Sequence, residues 1–144
     1  MSPTLMAHFA DYAAFHGTPG NKACHYVGIP LIVLALLALL ARVPLVELGG
    51  YNVTLAEVAL VAVTAYYLTL DAALAAIMLA ASVGLLFLGR PLPVWVSVAL
   101  FVVGWIFQFI GHYVYEKRSP AFFRNLAHLL VGPLWIVAKA VGRT

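Results

Sequence analysis

Five histidines, His8, His16, His25, His112 and His128, stand in this chain, and none lies between residues 26 and 111. Gln108, His112 and Glu116 are spaced i, i+4, i+8, which puts them in a stripe on one face of a helix. Asn21 and His25 form a second i, i+4 pair, and Tyr12 and His16 a third. Neutral imidazoles beside a carboxylate suit zinc, iron or copper. A solvated helix end accounts for Glu116 without any metal, but not as well for Gln108, which lies a turn deeper in an apolar stretch. The patterns HxxxH, HxxHH and HExxH are missing, which excludes zincins and the eight-histidine hydroxylases. There is no GxSxG for an acyl hydrolase and no glycine-rich phosphate loop. Cys24 next to His25 excludes an intrachain disulfide and reads as a buried, inert thiol. Ser82 and Ser97 lie in apolar runs and read as small packing residues.

These side chains must be positioned by membrane helices. The chain has 144 residues, of which 65% are hydrophobic and 9% charged, with a mean hydropathy of +1.03. A soluble domain carries roughly 25% charged residues to cover its surface. The composition therefore excludes a soluble monomer and a disordered chain. The net charge of +3 comes with no basic cluster interleaved with aromatics, so nucleic acid is excluded as a partner. The apolar runs predict an all-α integral membrane bundle in one domain, residues 1–144. A short amphipathic helix lies within residues 1–20, and four or five spans follow at about 26–41, 52–70, 71–88, 94–114 and 121–141. Asp71 splits the long middle run as a helix N-cap, and Gly89 to Pro93 breaks the next. Thr18-Pro19 and Ser119-Pro120 each read as an N-cap followed by Pro at the first helical position. Pro30 removes one helical hydrogen bond beside His25, and Gly28, Gly104 and Gly111 allow close helix approach. The last segment, bent at Gly132-Pro133, either crosses the bilayer or lies along its surface.

Four crossings separate His25 from His112, and an even number returns the chain to the face it left. His16, His25, His112 and His128 are thus expected near one membrane surface, with His8 further out in the amphipathic segment. A cytoplasmic N-terminus places Lys22, Lys117, Arg118 and Arg124 inside and Arg42 and Arg90 outside, in the sense of the positive-inside rule. The residues alone thus describe an integral membrane protein with a histidine cluster, read as a metal site, at one face.

Two blocks carry a resemblance. Tyr12-x-x-Phe15-His16, then Asn21-x-x-x-His25-x-x-Gly28-Ile29-Pro30, resembles the N-terminal signature of the 2-hydroxy-fatty-acid dioxygenases, the family of the fungal enzyme of phytosphingosine breakdown. Gln108-x-x-Gly111-His112-x-x-x-Glu116-Lys117-Arg118-Ser119-Pro120-Ala121 is similar to that family's second block. The resemblance implies an Fe(II) dioxygenase that shortens a 2-hydroxy fatty acid by one carbon with O2 and without 2-oxoglutarate. It implies His16, His25 and His112 as iron ligands, with His128 as a fourth ligand or an outer partner. Glu116 is then a ligand or an orienting partner, and Gln108 and Asn21 complete the catalytic surroundings. The partners implied are a 2-hydroxy fatty acid, O2 and the bilayer, with a homodimer open. A bacterial inner membrane is expected, or the endoplasmic reticulum for fungal relatives, with the site on the cytoplasmic side. Lys22, Lys117, Arg118 and Arg124 suit either the substrate carboxylate or anionic lipid. Two other readings stay open on the residues: a small haem-binding electron carrier, and a non-enzymatic lipid-binding or scaffold protein.

Overall fold

Helix caps written into the sequence divide the chain, and the computed structural model, which describes residues 1–143, shows four of them at work. Ser2 accepts the Leu5 N–H and Pro3 starts α1 (Pro3–Ala14). Thr18 caps α2 (Pro19–Leu40), with Pro19 in the first turn and Pro30 inside the helix. Thr54 and Glu57 form a reciprocal capping box at the head of α3 (Leu55–Leu70). Asp71 accepts the Leu74 N–H and opens α4 (Ala72–Gly89), so the expected split at Asp71 is present. Then follow α5 (Val94–Phe109), a π-helical turn (Ile110–Glu116), a 3-10 turn (Ala121–Phe123) and α6 (His128–Ala140). Three helical stretches, Pro19–Leu40, Ala72–Gly89 and Val94–Glu116, are long and apolar enough to cross a membrane.

Three expectations need correction. The chain is not purely helical: β1 (Pro44–Leu48) pairs antiparallel with β2 (Tyr51–Thr54). Gly49 and Gly50 connect them with φ of 57° and 83°. Two consecutive positive φ values are what a tight hairpin turn needs, and glycine supplies them without strain. Residues 52–54 are therefore strand, and α3 begins three residues later than its expected span. The helix expected from Ser119-Pro120 is also shorter. Only a 3-10 turn follows Pro120, and α6 starts at His128 with 13 residues, about 20 Å. Finally, the regular helix expected through residue 114 widens into π geometry from Ile110.

α6 starts and ends at the same end of the bundle. Its first residue, His128, binds Asp11 near the end of α1, 2.7 Å away. Just beyond its last turn, Arg143 reaches Asp71 at 2.9 and 3.1 Å, at the α3–α4 turn. α1 runs the other way: the Ser2 N–H donates to the Leu70 carbonyl, and His16 follows its last turn. The two helices bury Leu5, Phe9 and Tyr12 against Val131, Leu134, Trp135 and Ala138, together with Tyr67, Leu70 and Leu74. They form a layer over the end of the bundle that carries the histidines. The opposite end holds the hairpin, where Arg90 pairs with Glu57 at 2.5 Å and Arg42 donates to the Leu92 carbonyl.

Asp71 ties this layer to the α3–α4 turn. It accepts from Leu74, from Arg143 and from the Met1 ammonium 3.1 Å away. The Leu74 N–H first, and then the two cations, hold its carboxyl down at about 2. A carboxyl lowered on folding stabilises fully above its unfolded value and loses that contribution as pH falls through the folded one. Asp71→Asn keeps a capping oxygen and removes the charge. It should melt below the wild type at pH 7, with the gap closing as pH falls from about 4 towards 2; thermal melts in detergent across that range check this.

Candidate metal site

His16 lies just past the end of α1, held by its own backbone. Its Nδ1–H donates to the Tyr12 carbonyl at 2.6 Å, and its ring stacks on the Tyr12 ring with centroids 3.9 Å apart. His25, on the second turn of α2, donates Nδ1–H to the Asn21 carbonyl at 2.9 Å. A carbonyl only accepts, so both rings carry their proton on Nδ1 and present a bare lone pair on Nε2. Those two Nε2 atoms lie 3.1 Å apart. His112 comes from the π-helical turn, and one nitrogen from each of the three rings falls within 4.8 Å of the others. All three are buried. Two acceptors facing each other in a dry site repel unless a cation lies against both. The His16–His25–His112 donor set thus fits a metal ion that takes neutral imidazole. Burial holds the His16 imidazolium pKa down at about 4, so that ring is neutral at physiological pH.

Glu116 does not point at the cluster. Its Oε1 accepts the Gly17 N–H at 2.9 Å. Its Oε2 accepts from the Thr18 N–H, the Thr18 hydroxyl and Asn21 Nδ2 at 3.0, 2.9 and 3.1 Å. The carboxylate is committed to the loop that follows His16. Asn21 shares the task, since its Nδ2 also donates to the Phe15 carbonyl at 3.0 Å. Gln108 is buried a turn below His112, its Nε2 without a partner. His128 stands apart from the three: its Nε2 is taken by Asp11, and the Tyr12 ring lies 5.7 Å away.

Close backbone approach makes this possible. A Cβ on Gly111 would sit 2.5 Å from Asn21 Oδ1, and one on Gly28 would sit 2.7 Å from the Gly104 carbonyl. The π-helical turn closes with Lys117 at φ 53° and the Arg118 N–H on the His112 carbonyl. Sequence reasoning found the three histidines, Asn21, Gln108 and Glu116. It missed Asp11 as the partner of His128, and Gly17 and Thr18 as donors to Glu116. Asp11 is the only acid before residue 47, a signal that was there to be used. The Gly17–Glu116 contact spans 99 residues and leaves none.

The family model for 2-hydroxy-palmitic acid dioxygenase Mpo1-like proteins matches residues 3–144. The chain belongs to the Mpo1-like family. It is 29% identical over 127 residues to the 2-hydroxy-palmitic acid dioxygenase MPO1 of Saccharomyces cerevisiae, covering 88% of this chain and 73% of that protein. No solved structure matches the chain. Within the Mpo1-like chain, the three-histidine cluster sits at the end of the bundle where the two sequence blocks meet.

If Glu116 acts through the loop, Glu116→Gln places an amide N–H2 against at least one existing donor, the Gly17 N–H. Metal affinity should fall about 10- to 100-fold, the range for partners that orient ligands. Competition titration with a chromophoric chelator and Co(II) reads this. Thr18→Ser, which keeps the hydroxyl, should stay near the wild type.

Proposed function

We propose that this protein is a membrane-bound, Fe(II)-dependent dioxygenase that converts a 2-hydroxy fatty acid and O2 to a fatty acid one carbon shorter. The observation that carries the proposal is the pair of imidazole lone pairs 3.1 Å apart, completed by His112, in a member of a 2-hydroxy-palmitic acid dioxygenase family. The three neutral imidazoles of His16, His25 and His112 would hold iron, which when bound would supply the redox chemistry with O2. Tyr12 and Asn21 orient two of the rings through their carbonyls, and Glu116 fixes the loop between them. Gln108 offers a buried N–H at the inner edge of the site, and His128, steadied by Asp11, flanks it.

The same reading places the protein in the bilayer. α2 to α5 cross it, and the layer of α1 and α6 lies along the headgroups on the cytoplasmic side. A fatty acid keeps its carboxylate at that depth and its chain in the hydrocarbon, so the substrate meets the metal without leaving the lipid. Lys22, Lys117, Arg118 and Arg124 supply cations there for the carboxylate or for anionic headgroups.

The haem alternative fits poorly. A porphyrin needs its two axial nitrogens on opposite sides of its plane. The three imidazole centroids lie 4.4 to 4.9 Å apart, with no room between any two for a macrocycle.

The test is to purify the protein in detergent, load it with Fe(II) without oxygen, then add O2 and 2-hydroxypalmitate. An acid one carbon shorter is expected. His25→Ala and His112→Ala should lose bound iron and drop activity by more than roughly 100-fold, beyond what loss of an orienting partner causes. Iron-loaded protein that forms no shorter acid overturns the activity. Undiminished activity in both variants overturns the ligands.

A further inference from the structure

A cavity of about 200 Å³ opens beside the three histidines and continues down the bundle. Its walls follow two helices in register. On α2 it is lined by His25, Ile29, Val33 and Leu36, and on α5 and the π-helical turn after it by Phe101, Trp105, Gln108 and His112. Each row spans twelve residues, or about 16 Å of helix from first to last. The third wall is Phe122, Leu129 and Pro133, and Phe122 meets the Trp105 ring edge-on at 5.2 Å. Polar side chains gather at the histidine end, where Gln108 Nε2 lies buried without a partner. Below Gln108 the lining is hydrocarbon and aromatic ring. At the far end Leu36 is 42% exposed, so the groove opens sideways on the apolar belt rather than ending blind.

We propose that this groove holds the acyl chain of the substrate, entered laterally from the bilayer, and that Val33, Leu36 and Phe101 hold its distal part. This deepens the dioxygenase reading and rests on it. A polar end against the metal site and an apolar groove of about 16 Å match an amphiphile with a head and an extended chain of roughly a dozen methylenes. A second groove, of about 230 Å³, lies behind Val33 and Pro133, lined by Met78, Leu85 and Ile136. It has no polar residue and no histidine on its wall, so it is not the one assigned. A chain that moves from lipid into this groove exchanges one hydrocarbon surroundings for another. Length therefore adds little affinity, and the groove acts by position. It points C1 and C2 at the metal and lets any excess chain emerge past Leu36 into the bilayer.

The experiment uses the full chain in phosphatidylcholine nanodiscs, Fe(II)-loaded and kept anaerobic. Two analogues of 2-hydroxypalmitate carry a diazirine, one mid-chain and one near the methyl end. After irradiation the mid-chain probe should label Ile29 or Trp105, and the distal probe Val33, Leu36 or Phe101. Excess 2-hydroxypalmitate should suppress both by about ten-fold. Label on Met78 or Ile136, or spread around the outer faces, overturns the groove. Val33→Trp, which plugs it two turns below His25, should raise the preference for 2-hydroxyoctanoate over 2-hydroxypalmitate by about ten-fold or more. Val33→Met is the milder variant if the first does not fold, and should shift the ratio in the same direction. Leu88→Trp, on the outer face of α4, should leave labelling as it is. An unchanged ratio in folded Val33 variants also overturns the groove. Groove labelling without a shorter acid on aeration would sink the dioxygenase reading and leave the groove standing. A shorter acid without groove labelling would do the reverse.

Discussion

One carboxylate holds three parts of the chain in place. Glu116 accepts from Gly17, Thr18 and Asn21, and so joins the end of α5 to the loop after α1 and to the start of α2. Each of those segments carries one histidine of the cluster. With four donors on two oxygens, the ion is well compensated, which a carboxylate at the edge of an apolar bundle requires. Removing it would free the His16 loop and leave the Gly17 and Thr18 N–H groups without an acceptor. The histidine geometry is therefore a consequence of a contact made by none of the histidines.

The backbone supplies the rest of the precision. Tyr12 and Asn21 each sit four residues before a histidine and receive its Nδ1 proton on their carbonyls. Such a bond needs no partner side chain. It fixes the tautomer, and with it the nitrogen that faces the site. Gly111 and Gly28 remove the side chains that would otherwise hold α5 off α2. The Tyr12 ring, stacked on His16, fills the space on the far side.

Much of this was legible in the residues. The i, i+4 pairs Tyr12–His16 and Asn21–His25 describe local geometry, and local geometry survives folding. The expectation that His16, His25 and His112 share one end of the bundle needed no knowledge of helix order. What was not legible follows from interactions far apart in the chain or from backbone choices that composition hides. The hairpin was missed because Val53 and Thr54 merge into an apolar run, although Gly49-Gly50 marked its turn. The length of α6 was misjudged because Ser119-Pro120 looks like a helix start. The chain there makes only a 3-10 turn before Arg124 to Ala127 delay the helix. The π-helical turn has no sequence signature, so the role of Glu116 as a loop clamp was hidden behind a simple helical stripe.

The long separation between the clustered histidines sets the order in which the site can exist. His16 and His25 are made early and are already near each other once α2 forms. Their third partner arrives only after α3, α4 and α5 have been synthesised and α5 has docked on α2. A growing chain that has not reached Glu116 has two imidazoles and no clamp. The three-histidine cluster is thus completed last in assembly, and only in a finished bundle.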